Sequence, residues 1–442
     1  MGHVLLAPDK FKGSLTAAEV VRHLAAGLRR AAPGIEVRGF PVADGGEGTL
    51  DAAVSAGFRR MPVTVAGPTG APVRTAFAHA DGVAVVELAD ACGLRRLPEG
   101  RPDPLHASSR GAGEVIRAAL EHGCPEVVLG LGGSASTDGG AGLVGALGVR
   151  LLDDRGVELP AGGAALRHLH RLDLTGLHPA VRRTRFVVAG DVDNPLLGPA
   201  GAAAVYGPQK GATGEEVAVL EAGLHRWADL AEPAVREAGL LRPATAAGPP
   251  AVAEPPGPDA VAEPPGPAAV AEPPGPAAVA GLPGPAAVAG LPGPAAVAGP
   301  VRDRPGAGAA GGVGFAALGF LGARFRPGIA YLLDLLGFVQ AVAGADLVIT
   351  GEGSLDAQSL RGKAPVGVAG AAARAGVPVV AVVGQLGVGP DGLHEAGIRA
   401  VYPLTDLEPD PAACLDRAAE LVAATAARVA ADWLEPAAPS RR

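Results

Sequence analysis

Lysine is scarce in this sequence, and no basic patch compensates for its absence. Of 37 basic residues among 442, only four are lysines: Lys10, Lys12, Lys210 and Lys363. The formal net charge is -8, and no run of basic residues interrupts the acidic excess. A protein that binds nucleic acid needs a basic surface to attract the phosphate backbone. The composition therefore excludes nucleic acid as a partner.

Cysteine and long apolar runs are scarce as well. Cys92, Cys124 and Cys414 are far apart and show no metal-ligand spacing, which is typical of a protein from a reducing compartment. The chain starts directly with a strand-like segment, so no signal peptide is predicted. The uncharged stretch 306–323 is rich in glycine and poor in leucine and isoleucine, which does not favour a membrane span. We expect a cytoplasmic protein without a membrane partner.

The four lysines lie in glycine-containing turns, namely PDKFKGS, GPQKGA and RGKAP. Lysine is a compact, flexible point charge that suits phosphate, and arginine does not always replace it. Chance survival on a solvated surface would have placed lysines on helices as well. The pattern indicates that these lysines contact anionic ligands.

A strand-like run near the C-terminal third ends in a crowded polar turn. Residues 347–350 are apolar and β-branched, as in a buried parallel strand, and Gly351 and Gly353 break the run. Polar residues crowd the turn before the next helix, among them Ser354, Asp356, Gln358, Ser359 and Lys363. Ligands of open α/β sheets bind at the carboxyl ends of strands, so this turn is a candidate site. An ordinary solvated link between strand and helix is the alternative.

The first predicted strand, residues 4–7, also leads into a polar turn. Lys12 and Ser14 lie just before a helix whose capping box is formed by Thr16 and Glu19. The free amides and the dipole of a helix N-terminus favour an anion at this point.

A second strand, residues 35–40, is followed by a glycine-rich acidic turn. Asp44 and Glu47 are separated by Gly45 and Gly46. Glycines without a Cβ atom let the backbone approach a ligand closely, whereas a tight turn alone would need one glycine.

Residues 130–140 read GLGGSASTDGG after a buried strand at 127–129. The first six residues match the dinucleotide fingerprint GxGxxA, but the loop continues to Gly140 and no acidic strand end follows at the usual distance. A loop that holds phosphate or substrate is favoured, and dinucleotide binding stays open as the alternative. Residues 305–312 match GxGxxG without a preceding strand, which leaves a close approach to phosphate open.

Two carboxylates and an amide follow the strand at 186–189. Asp191, Asp193 and Asn194 offer the oxygen ligands that a hydrated Mg²⁺ prefers. An Asx-stabilised turn is the alternative.

The alternation of strands and helices at both ends of the chain predicts an α/β protein with a parallel sheet. Residues 61–87 alternate in short strands instead, which indicates an antiparallel part in a second unit. We predict a Rossmann-like parallel-sheet domain from two segments, 1–60 and 305–435, and an inserted second α/β domain at 61–242. Residues 243–304 contain a nine-residue Pro/Gly/Ala repeat and are predicted to be a low-complexity insertion that need not pack.

The loops contain the parts of phosphoryl transfer: glycine amides, lysines and clustered carboxylates. No Walker A sequence and no Cys/His or Ser/His pattern of a nucleophilic hydrolase occurs. These residues favour a small-molecule kinase. A nicotinamide-dependent oxidoreductase acting on a hydroxy acid and a non-catalytic sugar-acid binding protein are the alternatives.

The chain resembles the bacterial glycerate kinase family, the type-1 glycerate 2-kinases. The matching motifs run in family order along nearly the whole chain: APDKFKGSLTAAEV, PVADGGEGTLDA, DPLHASSRGAGE, GLGGSASTDGGAG, GDVDNPLLG, YGPQKGA, PGAGAAGG and ITGEGSLDAQSLRGKAPVGVA. The repeat at 253–300, where relatives have a short connection, is the departure from the family pattern.

The resemblance implies phosphorylation of D-glycerate by ATP with Mg²⁺, at the 2-hydroxyl to give 2-phosphoglycerate, with 3-phosphoglycerate as the alternative product. It also implies an active-site cleft between two α/β domains. The oligomeric state stays open, a homodimer included.

On this resemblance, the predicted catalytic residues are Asp44, Asp191 and Lys12, where either aspartate accepts the hydroxyl proton. The predicted metal ligands are Asp191, Asp193 and Glu352. Arg110 is expected to hold the glycerate carboxylate, and Lys12 and Lys363 to neutralise phosphate. The predicted substrate- and nucleotide-binding residues are Asp9, Ser14, Gly45, Gly46, Glu47, Ser109, Arg110, Gly132, Gly133, Ser134, Thr137, Asp138, Asn194, Gln209, Lys210, Gly311, Gly312, Gly351, Gly353, Asp356, Gln358, Ser359 and Lys363.

Overall fold

The computed structural model describes residues 2–241, 299–356, 359 and 363–434. Its strands are β1 (His3–Pro8), β2 (Glu36–Gly39), β3 (Arg59–Ala66), β4 (Pro72–Ala80), β5 (Val83–Glu87), β6 (Glu126–Gly130), β7 (Arg150–Leu152), β8 (Arg171–Asp173), β9 (Arg185–Ala189), β10 (Arg324–Arg326), β11 (Ala345–Leu355), β12 (Val379–Leu386) and β13 (Ile398–Pro403).

The α-helices are α1 (Ala17–Ala31), α2 (Thr49–Ser55), α3 (Leu88–Cys92), α4 (Arg110–Glu121), α5 (Ala141–Ala146), α6 (Ala202–Tyr206), α7 (Gly214–Glu237), α8 (Ala309–Gly319), α9 (Gly328–Leu335), α10 (Phe338–Val342), α11 (Ala364–Arg374), α12 (Pro390–Glu395), α13 (Pro411–Asp416) and α14 (Ala418–Trp433). Short 3₁₀ helices lie at Leu94–Arg96, Pro98–Gly100, Gly163–His168, Pro179–Arg182, Pro208–Lys210, Val301–Asp303 and Leu404–Asp406. In the described part of the chain, no helix combines the length and the apolar character that a membrane span requires.

The first sheet is entirely parallel, in the order β13-β12-β11-β1-β2. Helices α1 and α14 pack together against one face, and α9, α10 and α11 contribute to the core on the other face. Coverage on both faces explains why β1 is buried along its whole length. The capping box that begins α1 is present, because the Thr16 side chain accepts from the Glu19 amide and Glu19 reaches back to the Thr16 amide. The predicted α/β class is confirmed.

The second sheet has the order β10-β9-β6-β5-β4-β3. Strands β5, β6, β9 and β10 are parallel, whereas β3, β4 and β5 pair antiparallel. The antiparallel part falls on the residues whose sequence alternates between short strands and turns. A small two-stranded sheet, β7 and β8, completes the set of described sheets.

The strand pairing differs from the predicted domain boundary at residue 305. Strand β10 pairs in parallel with β9 of the second sheet. Helix α8 packs against α6 and α7, which share a hydrophobic core with the second sheet. Residues 309–326, assigned to the first domain from the sequence, therefore lie with the second sheet. The reason is that residues on both sides of the repeat pack into one core, in which Trp227 of α7 stacks on Phe320.

Both sheets belong to one compact unit, Met1–Leu241 with Gly299–Arg442. They share a hydrophobic cluster that contains Leu5 and Val348 of the first sheet together with Val85, Val128 and Val187 of the second. The predicted insertion at 243–304 lies outside the described residues, except for its last six residues.

The two sheets also meet through backbone at Gly45, which follows β2. Gly45 has φ +93°, and a Cβ atom on it would lie 2.2 Å from the Ala189 carbonyl oxygen at the end of β9. Gly48 has the same φ of +93° but no heavy atom within 4 Å of that position. A comparison of substitutions at these two glycines therefore distinguishes the cost of the left-handed backbone, which both share, from the cost of the steric contact, which only Gly45 has.

We predict that Gly45→Ala destabilises the protein more than Gly48→Ala. Both substitutions place a side chain in the left-handed region, at about 1–2 kcal/mol. Gly45→Ala additionally forces the two sheets apart, and overpacking adds about 1–3 kcal/mol. Urea unfolding followed by circular dichroism measures both free energies of unfolding. Equal losses in the two variants would show that the contact between Gly45 and Ala189 is not tight.

Candidate active site

Loops from both sheets meet where β1, β2, β6, β9 and β11 end. The amide of Gly132, after β6, donates to the carbonyl of Gly45, after β2, at 3.2 Å. The amide of Gly328, the first residue of α9, donates to Asp191 Oδ1 at 3.0 Å. Carboxyl ends of strands in two different sheets therefore form one surface, as expected for a ligand site in an α/β protein.

Four carboxylates at this junction form what we call the acidic cluster: Asp9, Asp44, Asp191 and Glu352. Asp9 is 6 % exposed and follows β1. Burial raises the pKa of Asp9 to about 6; the Lys10 ammonium lowers it and the Asp44 carboxylate raises it further. The Oδ1 atom of Asp9 accepts a hydrogen bond from the Lys10 amide at 2.7 Å.

Glu352 lies beside Asp9 on the neighbouring strand, β11. Burial raises the pKa of Glu352 to about 7, although the Ser359 hydroxyl and the Lys363 ammonium lower it. The Asp9 carboxylate adds to the rise. The Oε1 atom of Glu352 is buried and has no hydrogen-bond partner among the described residues. A buried carboxylate oxygen without a donor is a position where a cation would be stabilised.

Asp191 and Asp44 come from different sheets and meet at the N-terminus of α9. Asp191 keeps contact with solvent, yet the surrounding protein desolvates it enough to raise its pKa to about 6. The Gly328 amide opposes this rise and the Asp44 carboxylate adds to it. A Cβ atom on Gly328 would lie 2.0 Å from the Asp44 carbonyl oxygen, so glycine is required for this approach.

Lys10 is the lysine that enters the acidic cluster. Its Nζ lies 3.4 Å from both carboxylate oxygens of Asp9. Burial alone would lower the pKa of Lys10, but the carboxylates of Asp9, Asp44 and Glu47 raise it above its ordinary value. Lys12, which the sequence-based hypothesis placed in the site, is exposed, and its backbone nitrogen faces Gly353.

The glycine-rich loop after β6 is shaped by Asp138, which is 1 % exposed. Its Oδ2 accepts from the Ser109 amide at 2.8 Å, the Ser109 hydroxyl at 2.9 Å and the Ser108 hydroxyl at 3.3 Å. The amides of Gly140 and Gly142 also donate to this carboxylate. The carboxylate oxygens of Asp138 therefore accept hydrogen bonds from the protein itself, and these bonds fix the conformation of the loop.

Lys210 is buried beneath the same loop, with 4 % exposure. Its Nζ donates to the Ser136 carbonyl oxygen. Burial lowers the pKa of Lys210 to about 7, and the Asp138 carboxylate opposes this change. A Cβ atom on Gly311 would lie 2.8 Å from the Lys210 Nζ, so the 305–312 segment closes over the ammonium.

The segment 310–312 forms a left-handed turn at the start of α8. Ala310, Gly311 and Gly312 have φ of +54°, +68° and +89°. The Ser134 hydroxyl donates to the Ala310 carbonyl at 3.3 Å, and the Gly139 amide donates to the Gly311 carbonyl at 2.9 Å. A strained non-glycine residue is therefore held in place by the loop that follows β6.

The structure brings some of the predicted residues together and leaves others apart. Two groups form: around the acidic cluster lie Asp9, Asp44, Gly45, Gly46, Glu47, Gly132, Gly133, Asp191, Gly351, Glu352, Gly353, Asp356, Ser359 and Lys363, and around Lys210 lie Ser109, Ser134, Thr137, Asp138, Gly311 and Gly312. The loop after β6 belongs to both groups, since Gly132 touches Gly46 and Ser136 accepts from Lys210.

Other predicted residues have partners of their own or face solvent. Arg110 pairs with Glu114 at 3.0 Å, and the Ser14 hydroxyl donates to the Phe11 carbonyl at 3.2 Å. Asp193 and Gln209 are exposed.

Asn194 holds its own loop. Its Nδ2 donates to the Ala200 carbonyl at 2.8 Å and its Oδ1 accepts from Tyr206 at 2.6 Å. Gln358 lies outside the described residues.

Residues absent from the predicted set also contribute to the junction. Lys10 lies two positions before Lys12, in the same turn. The scarcity of lysine in the sequence is the signal that could have identified Lys10 as a site residue. Gly328 and Glu87 lie in no glycine-rich motif, and Arg95 is one arginine of many. Arg95 pairs with Glu47 at 3.0 Å, which only the packing of the 94–96 turn reveals.

The donor set at the acidic cluster fits the Mg²⁺ that accompanies a nucleotide. Mg²⁺ takes hard oxygen ligands, usually one or two carboxylates plus phosphates and waters. Asp9 and Glu352 supply adjacent buried carboxylates, and Glu352 Oε1 has no donor among the described residues. In that same part of the chain, no three His, Cys, Asp or Glu side chains converge closely enough to hold a metal ion by themselves. The fit is therefore to an ion that brings phosphate ligands with it.

Comparison with known proteins identifies the family. The model of the glycerate kinase family matches residues 4–254 and 293–434. The chain belongs to the glycerate kinase family. It is 38% identical over 432 residues to the glycerate kinase of Bacillus subtilis (strain 168), covering 96% of this chain and 97% of that protein. It is 36% identical over 403 residues to the glycerate 2-kinase of Escherichia coli (strain K12), covering 90% and 89%.

A solved structure agrees with this assignment. The crystal structure of a provisionally assigned glycerate kinase 2 from Salmonella typhimurium LT2 matches with a TM-score of 0.70 at 35% identity and covers 98% of each chain. The predicted family, the α/β fold and the enzyme class, a small-molecule phosphotransferase, are confirmed. The unmatched residues 255–292 in the family alignment fall within the repeat.

We predict that the stability of the protein depends on pH through Lys210. Its folded-state pKa, about 7, lies below the ordinary value of 10.5. The folded protein therefore binds fewer protons than the unfolded chain between these pH values, and this contribution to stability increases as pH rises from 7 to 10.5. Lys210→Met removes the titration, so the free energy of unfolding of the wild type should gain on that of the variant across this range. Urea unfolding at pH 6, 8 and 9.5 measures the difference, and a difference independent of pH would contradict the lowered pKa.

Proposed function

We propose that the chain transfers the γ-phosphoryl group of Mg·ATP to the 2-hydroxyl of D-glycerate and releases 2-phosphoglycerate. The observation that carries the proposal is the acidic cluster with Lys10 inside it, at the junction of the parallel first sheet and the mixed second sheet. The proposed acceptor position follows the glycerate 2-kinase among the similar proteins.

Asp191 is the proposed general base. A base works best when its pKa lies near the working pH, and the pKa of Asp191 is raised to about 6. Its Oδ1 is fixed by the Gly328 amide, which leaves the other oxygen for a substrate hydroxyl. The negative charge of Asp44, which also lies at the α9 N-terminus, adds to the rise in the pKa of Asp191.

The phosphate side of the site is proposed to lie between β1 and β11. Lys10 would leave Asp9 for a phosphate oxygen, since an ammonium at 3.4 Å from a carboxylate is held loosely. Lys363, 3.9 Å from Asp356, is the second cation within reach. Asp9 and Glu352 would hold Mg²⁺, which neutralises phosphate charge when bound. Asp193, exposed and outside the acidic cluster, has no part in this arrangement.

The decisive experiment is a coupled ADP-release assay with D-glycerate and Mg·ATP, followed by phosphorus NMR of the product. ADP release that depends on D-glycerate, with phosphate on C2, is the expected result. Phosphate on C3 would keep the kinase and overturn the proposed orientation of the substrate. No glycerate-dependent ADP release from folded protein would overturn the proposal.

Replacing Asp191 should remove most of the turnover. We predict that Asp191→Asn lowers kcat by roughly 10²–10⁴-fold, the usual contribution of a general base. Asparagine keeps the size of the side chain and an oxygen for the Gly328 amide, so the melting temperature should change little. A kcat within threefold of the wild type, measured in the same assay, would assign the base elsewhere.

The two neighbouring lysines should differ sharply. We predict that Lys10→Ala lowers kcat by at least about 100-fold, because a cation that neutralises the transferred phosphoryl group contributes to the transition state. Lys12→Ala is the matched control and should stay within about threefold, since its side chain is exposed. Steady-state kinetics with both substrates varied measures the two effects. The reverse order would restore Lys12 as the catalytic lysine.

A cytoplasmic location and a homodimer stay predictions for this chain. The three cysteines are free and buried, which agrees with a reducing compartment. Light scattering on the purified protein tests the assembly state.

A further inference from the structure

Glu87 is a buried carboxylate that the proposed reaction does not use. It is the last residue of β5 in the second sheet and is 7 % exposed. Its Oε2 accepts the backbone amides of Gly48 at 3.1 Å and Leu50 at 2.9 Å. These amides belong to the start of α2, a helix that follows β2 of the first sheet.

The start of α2 needs an external acceptor. Its N-cap residue, Gly48, has no side chain, and the backbone there is left-handed. The first amides of a helix have no partner within the helix, so one must come from elsewhere. Glu87 supplies it across the boundary between the two sheets, and a carboxylate also suits the positive end of the helix dipole.

The loop from Asp44 to Gly48 leads directly into this helix. Within that loop the Thr49 hydroxyl donates to the Gly46 carbonyl at 2.7 Å, which couples the helix start to the glycines. The same loop carries Asp44 and Glu47, both of which act on Lys10. Fixing the first turn of α2 therefore fixes two carboxylates of the site.

The neighbour of Glu87 in the second sheet touches the same loop. Glu87 is paired in register with Gly130 of β6. A Cβ atom on Gly130 would lie 2.7 Å from the Gly45 carbonyl oxygen and 3.3 Å from the Thr49 hydroxyl. The ends of β5 and β6, two adjacent strands of the second sheet, thus both contact the loop that joins β2 to α2.

The charges around Glu87 are acidic. Asp51 on α2 and Asp90 on α3 are the charged groups that act on it; burial raises its pKa to about 7, the two amides lower it, and both aspartates raise it. Asp51 pairs with Arg60 and Asp90 pairs with Arg96. Among the described residues, no lysine, arginine or histidine lies at ion-pair distance from Glu87. The two amides are therefore its principal partners.

We propose that Glu87 is a positioning residue for the reaction: it holds the Asp44–Gly48 loop so that Asp44 and Glu47 face Lys10 and Asp191. The proposal rests on the proposed function for its effect on turnover. Its structural half, that Glu87 orders the loop, is independent of the reaction.

Glu87→Ala and Glu87→Gln test the proposal together. Glu87→Ala should lower kcat at least tenfold with smaller changes in both KM values. The reason is that displaced catalytic groups weaken interactions with the transition state more than interactions with the bound substrates. Glu87→Gln keeps an oxygen for the amides and should restore kcat to within about threefold. Hydrogen exchange by mass spectrometry should show faster exchange in residues 44–50 for Glu87→Ala and not for Glu87→Gln.

Glu232→Ala is the matched control. Glu232 is 6 % exposed, and its Oε1 accepts the backbone amide of Arg302 at 2.8 Å. Its Oε2 also pairs with the Arg302 guanidinium at 3.1 Å, so it is a buried carboxylate that holds backbone outside the acidic cluster. It should lose stability without a change in kcat or in exchange at residues 44–50. An equal loss of kcat in Glu232→Ala would show that general destabilisation causes the effect and would overturn the proposal.

Two further outcomes separate the proposal from the proposed function. If Glu87→Ala does not fold, Glu87→Asp replaces it, because the shorter carboxylate cannot reach both amides and should show the same loss of kcat and faster exchange. Unchanged kcat and unchanged exchange in the folded variant would overturn the proposal while leaving the kinase intact. If the wild type does not phosphorylate glycerate, the proposed function fails, and the exchange data alone decide whether Glu87 holds the loop.

Discussion

The approach of glycine backbone from two sheets is the constraint on which the rest of the site depends. Gly45 and Gly46 follow a strand of the first sheet, and Gly130 and Gly132 belong to the second. A Cβ atom on Gly132 would lie 2.6 Å from the Gly46 Cα, so any side chain there would separate the two loops. Because the sheets can touch at this point, carboxylates from both can lie around one small volume.

That proximity has an electrostatic consequence. Asp9, Asp191 and Glu352 are desolvated and lie near further carboxylates, and the pKa of each is raised towards neutrality. One lysine inside the cluster offsets part of the repulsion, and its own pKa is raised in return. Such a site favours an incoming cation, which is the electrostatic basis of the proposed Mg·ATP site. A shared hydrophobic cluster that includes strands of both sheets supports this arrangement.

Buried polar contacts support this arrangement from behind. Asp138 accepts hydrogen bonds from two serines and three backbone amides, and Lys210 donates to the loop that Asp138 shapes. These groups touch protein, so their contribution is to hold the loop after β6 in one conformation. Unsatisfied groups at these positions would be costly, which makes the loop geometry specific.

The parallel sheets, the antiparallel segment and the polar strand ends could be predicted from local pattern. β-branched runs such as 347–350 bury on both faces, and the carboxyl ends of parallel strands converge whatever the sequence between them. The domain boundary at 305 could not be predicted, because strand β10 has three residues and its pairing with β9 depends on the core around Trp227.

The sequence by itself determined the family, the fold class and the loops that are proposed to carry the chemistry, since motifs and periodicity are local properties. Only the tertiary structure decided which side chains face each other: Lys10 rather than Lys12 enters the acidic cluster, Asp193 stays in solvent, and Glu87 reaches a helix of the other sheet. The physical reason is that two lysines in one turn have the same local pattern. Only the packing distinguishes them: Lys10 Nζ lies beside the Asp9 carboxylate, whereas Lys12 is exposed and its backbone nitrogen faces Gly353 of β11.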